Sequence, residues 1–197
     1  MKHTTLSKLA ALFLSLLLPA SATFAQKTQL PPLPSKPKLV VGIIVDQMRA
    51  DYLPRYWNKY GSDGFKKLIN EGFNCISMNY NYVPTYTGPG HASVYTGATP
   101  SVHGIVGNYW FSREENRMVY CTEDKTVQNV GGDGKQGQMS PKLLRAQTLC
   151  DAVKLANEGK GKVIGISQKD RAAILPAGQS ADAAYWLDDR SGHFITS

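Results

Sequence analysis

Residues 39–46 read Leu-Val-Val-Gly-Ile-Ile-Val-Asp, an apolar run that ends at a carboxylate. A continuous apolar run of this length is typical of a strand buried on both faces, as strands are in parallel sheets. Open α/β sheets bind their ligands at the edge where the carboxyl ends of the strands meet. The sequence therefore predicts that Asp46 lies at a binding edge, where it either holds a divalent metal ion or caps the following helix.

Helix and strand patterns alternate downstream of this run. A helix is predicted from a cap at Ser62 or Asp63 to a stop at Gly72. The later predicted elements are, in chain order, a strand over 73–78, a short helix over 88–96, a glycine-rich surface excursion over 123–138, a helix from 140 to 159, a strand over 162–167, and a strand, turn and strand over 185–187, 188–192 and 194–196. This order predicts a doubly wound, largely parallel α/β sheet flanked by helices.

The first 38 residues are predicted to lie outside this sheet. Basic residues, an apolar run over 9–18 and small residues up to position 25 give the pattern of an export signal over residues 1–25. The apolar run is too short to span a bilayer, which takes about 20 residues. Residues 26–38 are rich in proline and predict an extended tether. Residues 39–197 are interpreted as the N-terminal, incomplete part of one domain, because the sequence stops inside a predicted strand.

Composition narrows the class of protein. The chain of 197 residues is 42% hydrophobic and 19% charged, which provides apolar material for a core and argues against disorder. The net charge of +7 comes from scattered basic residues and not from a basic stripe with interleaved aromatics, so nucleic-acid binding is not expected. No stretch after the signal predicts a membrane span. The three cysteines, Cys75, Cys121 and Cys150, are too widely spaced to predict a zinc knuckle, and which of them pair, if any, stays open.

The segment Pro-Thr-Tyr-Thr-Gly-Pro-Gly-His at residues 84–91 places Thr87 directly before a glycine-rich helix entry. A helix N-terminus is positive, and its backbone N–H groups can receive an anion. A metal ion bound to the hydroxyl would make the alkoxide accessible near neutral pH, which makes Thr87 a candidate nucleophile for phosphoryl or sulfuryl transfer. Taken alone, the pattern is more often that of a threonine that caps a helix.

Two further segments carry side chains that suit a phosphate group. Asn108 ends the segment at residues 103–108, and an amide can donate to a phosphate oxygen. Lys169 and Arg171 follow a predicted strand, and two residues that are two apart share a face if the chain stays extended. Two cations on one spot suit a dianionic phosphate, with arginine as a bidentate donor. Taken alone, Lys169 and Arg171 are better explained as solvated surface charges.

Three of these segments together resemble the alkaline phosphatase superfamily: Ile-Ile-Val-Asp at 43–46, Pro-Thr-x-Thr-x-Pro-x-His at 84–91 and His-Gly-Ile-x-x-Asn at 103–108. They resemble most closely the branch shared by nucleotide pyrophosphatase/phosphodiesterases and the phosphate-insensitive, PafA-type bacterial alkaline phosphatases. The resemblance implies hydrolysis of small phosphate monoesters by an exported enzyme, periplasmic or extracellular, that uses two zinc ions.

The resemblance also implies a role for each candidate residue. It implies that Asp46 is a zinc ligand, that Thr87 is a metal-bound nucleophile that becomes transiently phosphorylated, and that Asn108 contacts a phosphate oxygen. It implies that Lys169 and Arg171 mark the monoesterases of this branch. Two alternatives stay open: a phosphodiesterase or nucleotide pyrophosphatase of the same superfamily, and a non-catalytic exported fragment. The oligomeric state also stays open.

The remaining metal ligands of the superfamily, aspartates and histidines, come from later in the chain. Asp189 and His193 have the spacing of one such element, but Ser191 and Gly192 between them predict a hairpin turn, so we reject this pair. The mature histidines that remain, His91 and His103, are expected to pack or to support neighbouring residues.

Overall fold

The computed structural model describes residues 37–197. The predicted export signal over 1–25 and the predicted tether up to residue 36 lie outside the described residues. Residues 37–42 are exposed and contain neither helix nor strand, and residues 43–197 form a separate compact unit. All helices and strands named below belong to this compact unit.

Six α-helices are described in residues 43–197. They are α1 (Tyr52–Arg55), α2 (Phe65–Glu71), α3 (Thr87–Thr96), α4 (Pro100–His103), α5 (Leu149–Ala156) and α6 (Asp170–Ala177). Short 3₁₀ helices follow α1 and precede α5, at Trp57–Lys59 and Lys135–Gly137. None of the helices within residues 37–197 combines the length and the hydropathy that crossing a bilayer requires.

Five strands form two sheets in the described residues. Strands β1 (Tyr109–Ser112) and β2 (Arg117–Tyr120) make an antiparallel hairpin. The second sheet has the order β3 (Ile164–Ser167), β4 (Ala183–Leu187), β5 (Phe194–Ile195). Its first pair is parallel and its second is antiparallel, because α6 provides the crossover from β3 to β4 and a tight turn joins β4 to β5.

Helix α6 lies at the centre of the core. Its Leu175 packs into one apolar cluster with Ala92 of α3, and its Ile174 packs into another with Trp186 of β4. The approach of α6 to β3 requires Gly165, because a Cβ atom there would overlap the carbonyl oxygen of Ala173. The crossover helix therefore holds α3 against the sheet, which places the helix entries of α3 and α6 on one packed unit.

Two predicted strands are wrong. Residues 39–45 and 73–78 form no strand, and their apolar side chains are exposed, Leu39 by 78% and Phe73 by 94%. A buried strand needs neighbours along both edges and layers on both faces. No described strand pairs with either run, so the apolar pattern has no sheet to enter.

The predicted helix from 140 to 159 begins too early. The observed helix α5 begins at Leu149, where Thr148 and Asp151 form a capping box in which each side chain accepts a hydrogen bond from the other's backbone N–H. Ser140 instead closes a loop, because its hydroxyl donates to the carboxylate of Asp124 at 2.7 Å. Asp124 is itself buried, so the excursion predicted over 123–138 is a surface segment only after its first residues.

Other predicted elements are confirmed to within a few residues. The short helix over 88–96 is α3, the strand over 162–167 is β3, and the last three predicted elements are β4, a turn and β5. Helix α2 stops at Gly72 as predicted, although its N-cap is Gly64 and neither Ser62 nor Asp63. The turn also confirms the rejection of Asp189 and His193 as a helical metal pair.

Candidate active site

Thr87 is the first residue of α3 and does not cap it. The N-cap is Tyr86, which makes no side-chain capping bond. The Thr87 hydroxyl instead donates to Oδ2 of Asp46 across 3.2 Å, joining segments 41 residues apart. This contact favours the nucleophile interpretation of Thr87 over the capping one, because the hydroxyl is directed at a carboxylate and not at its own helix.

Asp46 lies in an exposed turn directly after the apolar run. The next residue, Gln47, has a positive φ of 58°, which turns the chain sharply at this point. The following helix, α1, is preceded by Asp51 as its N-cap, so Asp46 does not cap it. Its carboxylate is therefore available to the Thr87 hydroxyl, and the capping alternative for Asp46 is wrong.

The entry of α3 offers fewer anion-binding groups than its glycines suggest. The N–H of Gly88 already donates to Oδ1 of Asn108 at 2.7 Å, and Pro89 has no N–H. Among the first three helical residues, the Thr87 N–H is then the group that has no acceptor within the described part of the chain. Anion binding at this site therefore depends more on side chains than on the helix terminus.

Asn108 is oriented by this bond. Since a backbone N–H can only donate, the atom of Asn108 that faces Gly88 is its oxygen, and the two donors of Nδ2 are left for another acceptor. The close approach depends on Gly88, because a Cβ there would lie 3.1 Å from Asn108 Oδ1 and 3.2 Å from the sulfur of Cys121. We refer to Asp46, Thr87, Gly88 and Asn108 as the threonine site.

Lys169 and Arg171 do not share an extended face as predicted. Lys169 is the extended N-cap of α6, but Arg171 already belongs to the helix. Lys169 pairs with Asp189 of the β4–β5 turn at 2.8 Å. Arg171 donates from Nη1 to the hydroxyl of Tyr120 at 2.8 Å. Together with these two partners, Lys169 and Arg171 form what we call the cation site.

The cation site lines an open pocket with a volume of about 440 Å³. Its walls come from the end of the hairpin, the entry of α6 and the β4–β5 turn, with the lining residues Tyr109, Tyr120, Lys169, Arg171, Trp186 and Asp189 among them. Thr87 and Asn108 are not part of this lining. The structure thus assembles the predicted residues as two groups, and no described hydrogen bond joins Lys169 or Arg171 to Thr87.

Consecutive residues of the hairpin connect the two sites. Tyr120 contacts Arg171, and the next residue, Cys121, donates its N–H to the carbonyl of Asn108 at 3.0 Å. The Cys121 thiol is fully buried beside Gly88, and this burial raises its pKa to about 12, so it stays protonated. All three cysteines are free thiols.

The two buried histidines support the threonine site, as expected. His91 donates from Nδ1 to the carbonyl of Thr87 at 2.8 Å, one turn along α3. His103 accepts at Nδ1 from the N–H of Ile105 and therefore donates from Nε2 to Ser93 of α3. Burial lowers the pKa of His103 and so keeps the ring neutral.

The side chains at Thr87 are of a type that binds divalent metal ions, but they are too few to complete a metal site. A carboxylate and a hydroxyl 3.2 Å apart are oxygen donors of the sort that zinc and magnesium accept. Zinc sites take three or four protein ligands, and residues 37–197 contain no group of three or more His, Cys, Asp or Glu side chains able to hold a metal ion. The described residues therefore supply part of a metal site.

Sequence patterns missed Tyr120, Thr122 and Asp170, and they pointed to Asp189 only as half of the rejected metal pair. Tyr120 lies 51 residues from Arg171, and no local pattern relates them. Asp170 lies between the two predicted cations, and its position in the first turn of a helix would have been the available signal.

Comparison with known proteins assigns the family. Residues 40–193 match the model of the family described as type I phosphodiesterase / nucleotide pyrophosphatase. The chain belongs to this family. Several relatives that resemble this chain are alkaline phosphatases. The chain is 48% identical to alkaline phosphatase PhoV of Synechococcus elongatus, over 96% of this chain and 36% of that protein.

Two further relatives of this family member are similar over comparable lengths. It is 54% identical to a protein of Myroides odoratus named calcium-transporting ATPase, over 82% of this chain and 30% of that protein. It is 51% identical to alkaline phosphatase PafA of Elizabethkingia meningoseptica, over 88% of this chain and 31% of that protein. The chain thus spans about a third of the length of the curated relatives it matches.

Solved structures confirm the fold class. The crystal structure of wild-type PafA superposes with a TM-score of 0.80 at 52% identity, over 81% of this chain and 31% of that chain. A PafA variant superposes with a TM-score of 0.76 at 47% identity, over 78% of this chain and 30% of that chain. In that variant one threonine, one asparagine, one lysine and one arginine are replaced. The fold is the α/β fold of these phosphatases, as the resemblance implied.

Proposed function

We propose that this chain is the nucleophile-bearing part of a bacterial alkaline phosphatase that hydrolyses small phosphate monoesters through a phosphothreonine. The observation that carries the proposal is the hydroxyl of Thr87, which begins α3 without capping it and donates to Asp46. A threonine placed in this way, next to an amide with two available donors, suits transfer of a phosphoryl group.

The residues divide the work of the proposed reaction as follows. The Thr87 hydroxyl gives up its proton as its oxygen attacks phosphorus in line. The bond to the ester oxygen breaks and that oxygen takes up a proton, so the alcohol leaves and phosphothreonine forms. Water then hydrolyses the phosphothreonine and restores the hydroxyl. Asn108 donates from Nδ2 to a non-bridging oxygen, and Lys169 and Arg171 attract the dianion, so that positioning and charge supply the catalysis.

Asp46 and Thr87 are the residues that would hold a zinc ion, the first of two. When bound, zinc supplies Lewis acidity to the attacking and leaving oxygens. By accepting its hydrogen bond, Asp46 keeps the Thr87 hydroxyl beside the carboxylate that would share the zinc ion with it. The remaining ligands of both ions are proposed to come from sequence beyond the described residues.

The PafA variant supports these four assignments. The threonine and asparagine replaced in it have the same spacing as Thr87 and Asn108, and the replaced lysine and arginine have the same spacing as Lys169 and Arg171. In PafA the same four residue types, in the same order, were replaced together in one variant. This supports the proposal that the four corresponding residues of this chain act on one substrate.

A phosphodiesterase or nucleotide pyrophosphatase is the second candidate, since the family as a whole carries that description. The cation site argues for the monoesterase. Two cations gain more from a dianion than from a diester monoanion, whose second organic group would crowd them. The terminal phosphate of ATP is also multiply charged, so the nucleotide belongs in any panel of test substrates.

We further propose that residues 1–25 direct export and that 26–38 tether the domain, which places the activity in the periplasm or outside the cell. This rests on the basic, apolar and small-residue order of the N-terminus. The partners expected are small phosphate esters and not nucleic acid.

The decisive experiment replaces Thr87 in the complete reading frame that contains this chain. Thr87→Ala should lower kcat/KM for p-nitrophenyl phosphate by several powers of ten, because the covalent route is lost, at about 1.4 kcal/mol of barrier per factor of ten. Acid quenching during turnover, followed by mass spectrometry, should detect phosphate on the peptide that contains Thr87.

The matched control is Thr85→Ala, two residues earlier in the same exposed segment and outside the helix. It should keep both the turnover and the phosphopeptide. Full turnover in Thr87→Ala together with loss in Thr85→Ala would overturn the assignment of the nucleophile. A clear preference of the wild-type enzyme for bis(p-nitrophenyl) phosphate would overturn the monoesterase.

A further inference from the structure

Arg171 is held by a hydroxyl and not by a carboxylate. Its Nη1 donates to Tyr120 Oη at 2.8 Å, and no carboxylate in residues 37–197 forms an ion pair with it. Adjacent residues of a helix do not face each other, but Asp170 is close enough for one phenol oxygen to contact both side chains. A carboxylate would ordinarily be the strongest partner for a guanidinium.

Asp170 is kept from Arg171 by two hydroxyl groups. Tyr120 donates from Oη to Oδ1 of Asp170 at 2.8 Å, and Thr122 donates from Oγ1 to Oδ2. Tyr120 therefore accepts from Arg171 and donates to Asp170 with the same oxygen, which is the full use of a phenol group. Its position at the end of β2 is set by the backbone pairing with Tyr109.

The arrangement fixes the guanidinium without a direct ion pair to a carboxylate, and Asp170 acts on it only across the bridging Tyr120 hydroxyl. A phenol is an uncharged acceptor, and burial, with the nearby Asp170 carboxylate, raises the pKa of Tyr120 well above its usual range. The ring of Tyr120 also lies beneath the guanidinium, with its centroid 6.0 Å from Cζ, a second uncharged contact. By contrast, the charge of Lys169 is matched by Asp189 in a largely exposed pair.

We propose that Tyr120 is the positioning residue for Arg171, and that with Thr122 it prevents a direct ion pair between Asp170 and the guanidinium, so that the guanidinium can pair with a phosphate dianion instead. The inference rests on the proposed function. It adds a determinant of the preference for monoesters that itself touches no substrate.

The test is a double-mutant cycle in the complete reading frame, with phenyl phosphate and its methyl diester as substrates. Tyr120→Phe removes one oxygen, freeing Arg171 and one oxygen of Asp170 to pair. It should lower kcat/KM for the monoester roughly 10-fold to 100-fold and change the diester much less, since bonds to charged groups are the stronger ones. In an Arg171→Ala background the same change should have no further effect.

Tyr185→Phe is the matched control, because it removes a phenol oxygen from β4 that makes no hydrogen bond to another described residue and does not line the open pocket. It should behave as wild type. Should Tyr120→Phe fail to fold, Thr122→Val frees the other oxygen of Asp170 and should cause the same selective loss for the monoester.

Three results would overturn the inference. If Tyr120→Phe retains wild-type kinetics while Arg171→Ala is strongly impaired, Tyr120 does not position Arg171, and the proposed function stands. If Arg171→Ala itself retains wild-type kinetics on both esters, the role of Arg171 in the proposed function fails, and the inference fails with it. Equal, additive losses on both esters would show a merely structural tyrosine.

Discussion

The threonine site and the cation site are held by different means. In the threonine site, backbone groups fix two of the side chains, Thr87 by the start of α3 and Asn108 by the N–H of Gly88. The Thr87 hydroxyl also donates to Asp46. In the cation site, other side chains do this work, with Tyr120 for Arg171 and an exposed aspartate for the lysine. Backbone placement tolerates little change of volume, whereas placement by side chains can be altered one atom at a time.

This difference separates what each site determines. In the proposed reaction, the threonine site carries the bond-making atom, so damage there should affect every substrate. The cation site carries charge alone, so damage there should depend on the charge of the substrate. The following predictions test that separation, in order of decreasing effect.

Removal of both cations should give the largest selective effect. In Lys169→Ala/Arg171→Ala, kcat/KM for a phenyl monoester should fall by several powers of ten and that for its methyl diester much less. Each cation within 4 Å of a unit charge is worth about 4 kcal/mol at an effective dielectric of about 20, before desolvation is subtracted. Steady-state kinetics on the complete reading frame measure both values.

The alternative outcome for this double variant is a parallel loss. If both esters fall by the same factor, the pair acts generally or structurally, and the phosphodiesterase becomes as well supported as the monoesterase. The sheet should survive the change, because β3 and its pairing with β4 use backbone groups. Circular dichroism provides that control.

Gly88→Ala should affect the threonine site through volume alone. The added Cβ would lie 3.1 Å from Asn108 Oδ1, so the amide must shift by a few tenths of an ångström. We expect kcat/KM to fall roughly tenfold, by a similar factor for monoester and diester, since a shift of about 1 Å at a catalytic group can cost about a hundredfold.

Gly90→Ala, one residue beyond Pro89 in the same buried turn, is the control. Its Cβ would meet Tyr80 Oη at 3.5 Å, an ordinary contact. Kinetics should be unchanged, and the melting temperature should rise slightly, because alanine favours a helix over glycine by about 1 kcal/mol. If Gly90→Ala impairs activity as much as Gly88→Ala does, general tightness of α3, and not Asn108, is the cause.

The sequence predicted some helices and strands correctly and missed others. The helix of Thr87 was predicted because a glycine-rich entry and an apolar stretch are local signals. Helix α6 was missed because five consecutive residues, 173–177, are all buried, so the segment lacks the one-sided periodicity of a surface helix. The apolar runs over 39–45 and 73–78 show the opposite error, a strand predicted where none forms. An apolar run becomes a strand only when neighbouring strands are present to pair with it.

The candidate site divides in the same way. Asp46, Thr87 and Asn108 follow from ordered motifs, and two of their contacts are seen at 3.2 and 2.7 Å. The partners of the cations could not be predicted. Tyr120 meets Arg171 through the packing of a hairpin against a crossover helix, and that contact is decided by tertiary structure and not by any spacing along the chain.

The smallest expected effect concerns the support of the threonine site by His103. This ring is fully buried, accepts from the N–H of Ile105 and donates to Ser93, so it anchors the loop that leads to Asn108 against α3. Burial lowers its pKa in the folded protein, which means that below about pH 6.5 the unfolded chain binds the proton first. The contribution of this group to stability is therefore present above that pH and is lost as the pH falls, by at most about 1.4 kcal/mol per pH unit.

Melting temperatures between pH 8 and pH 5.5 measure this loss. His103→Gln, whose amide can accept from Ile105 and donate to Ser93 without titrating, should melt lower than wild type at pH 8 but decline less steeply below pH 6.5. His193→Gln, a change in the exposed β4–β5 turn, should keep the wild-type pH dependence. If His103→Gln and wild type decline in parallel, the acid sensitivity arises elsewhere, and the loop before Asn108 is held by its backbone alone.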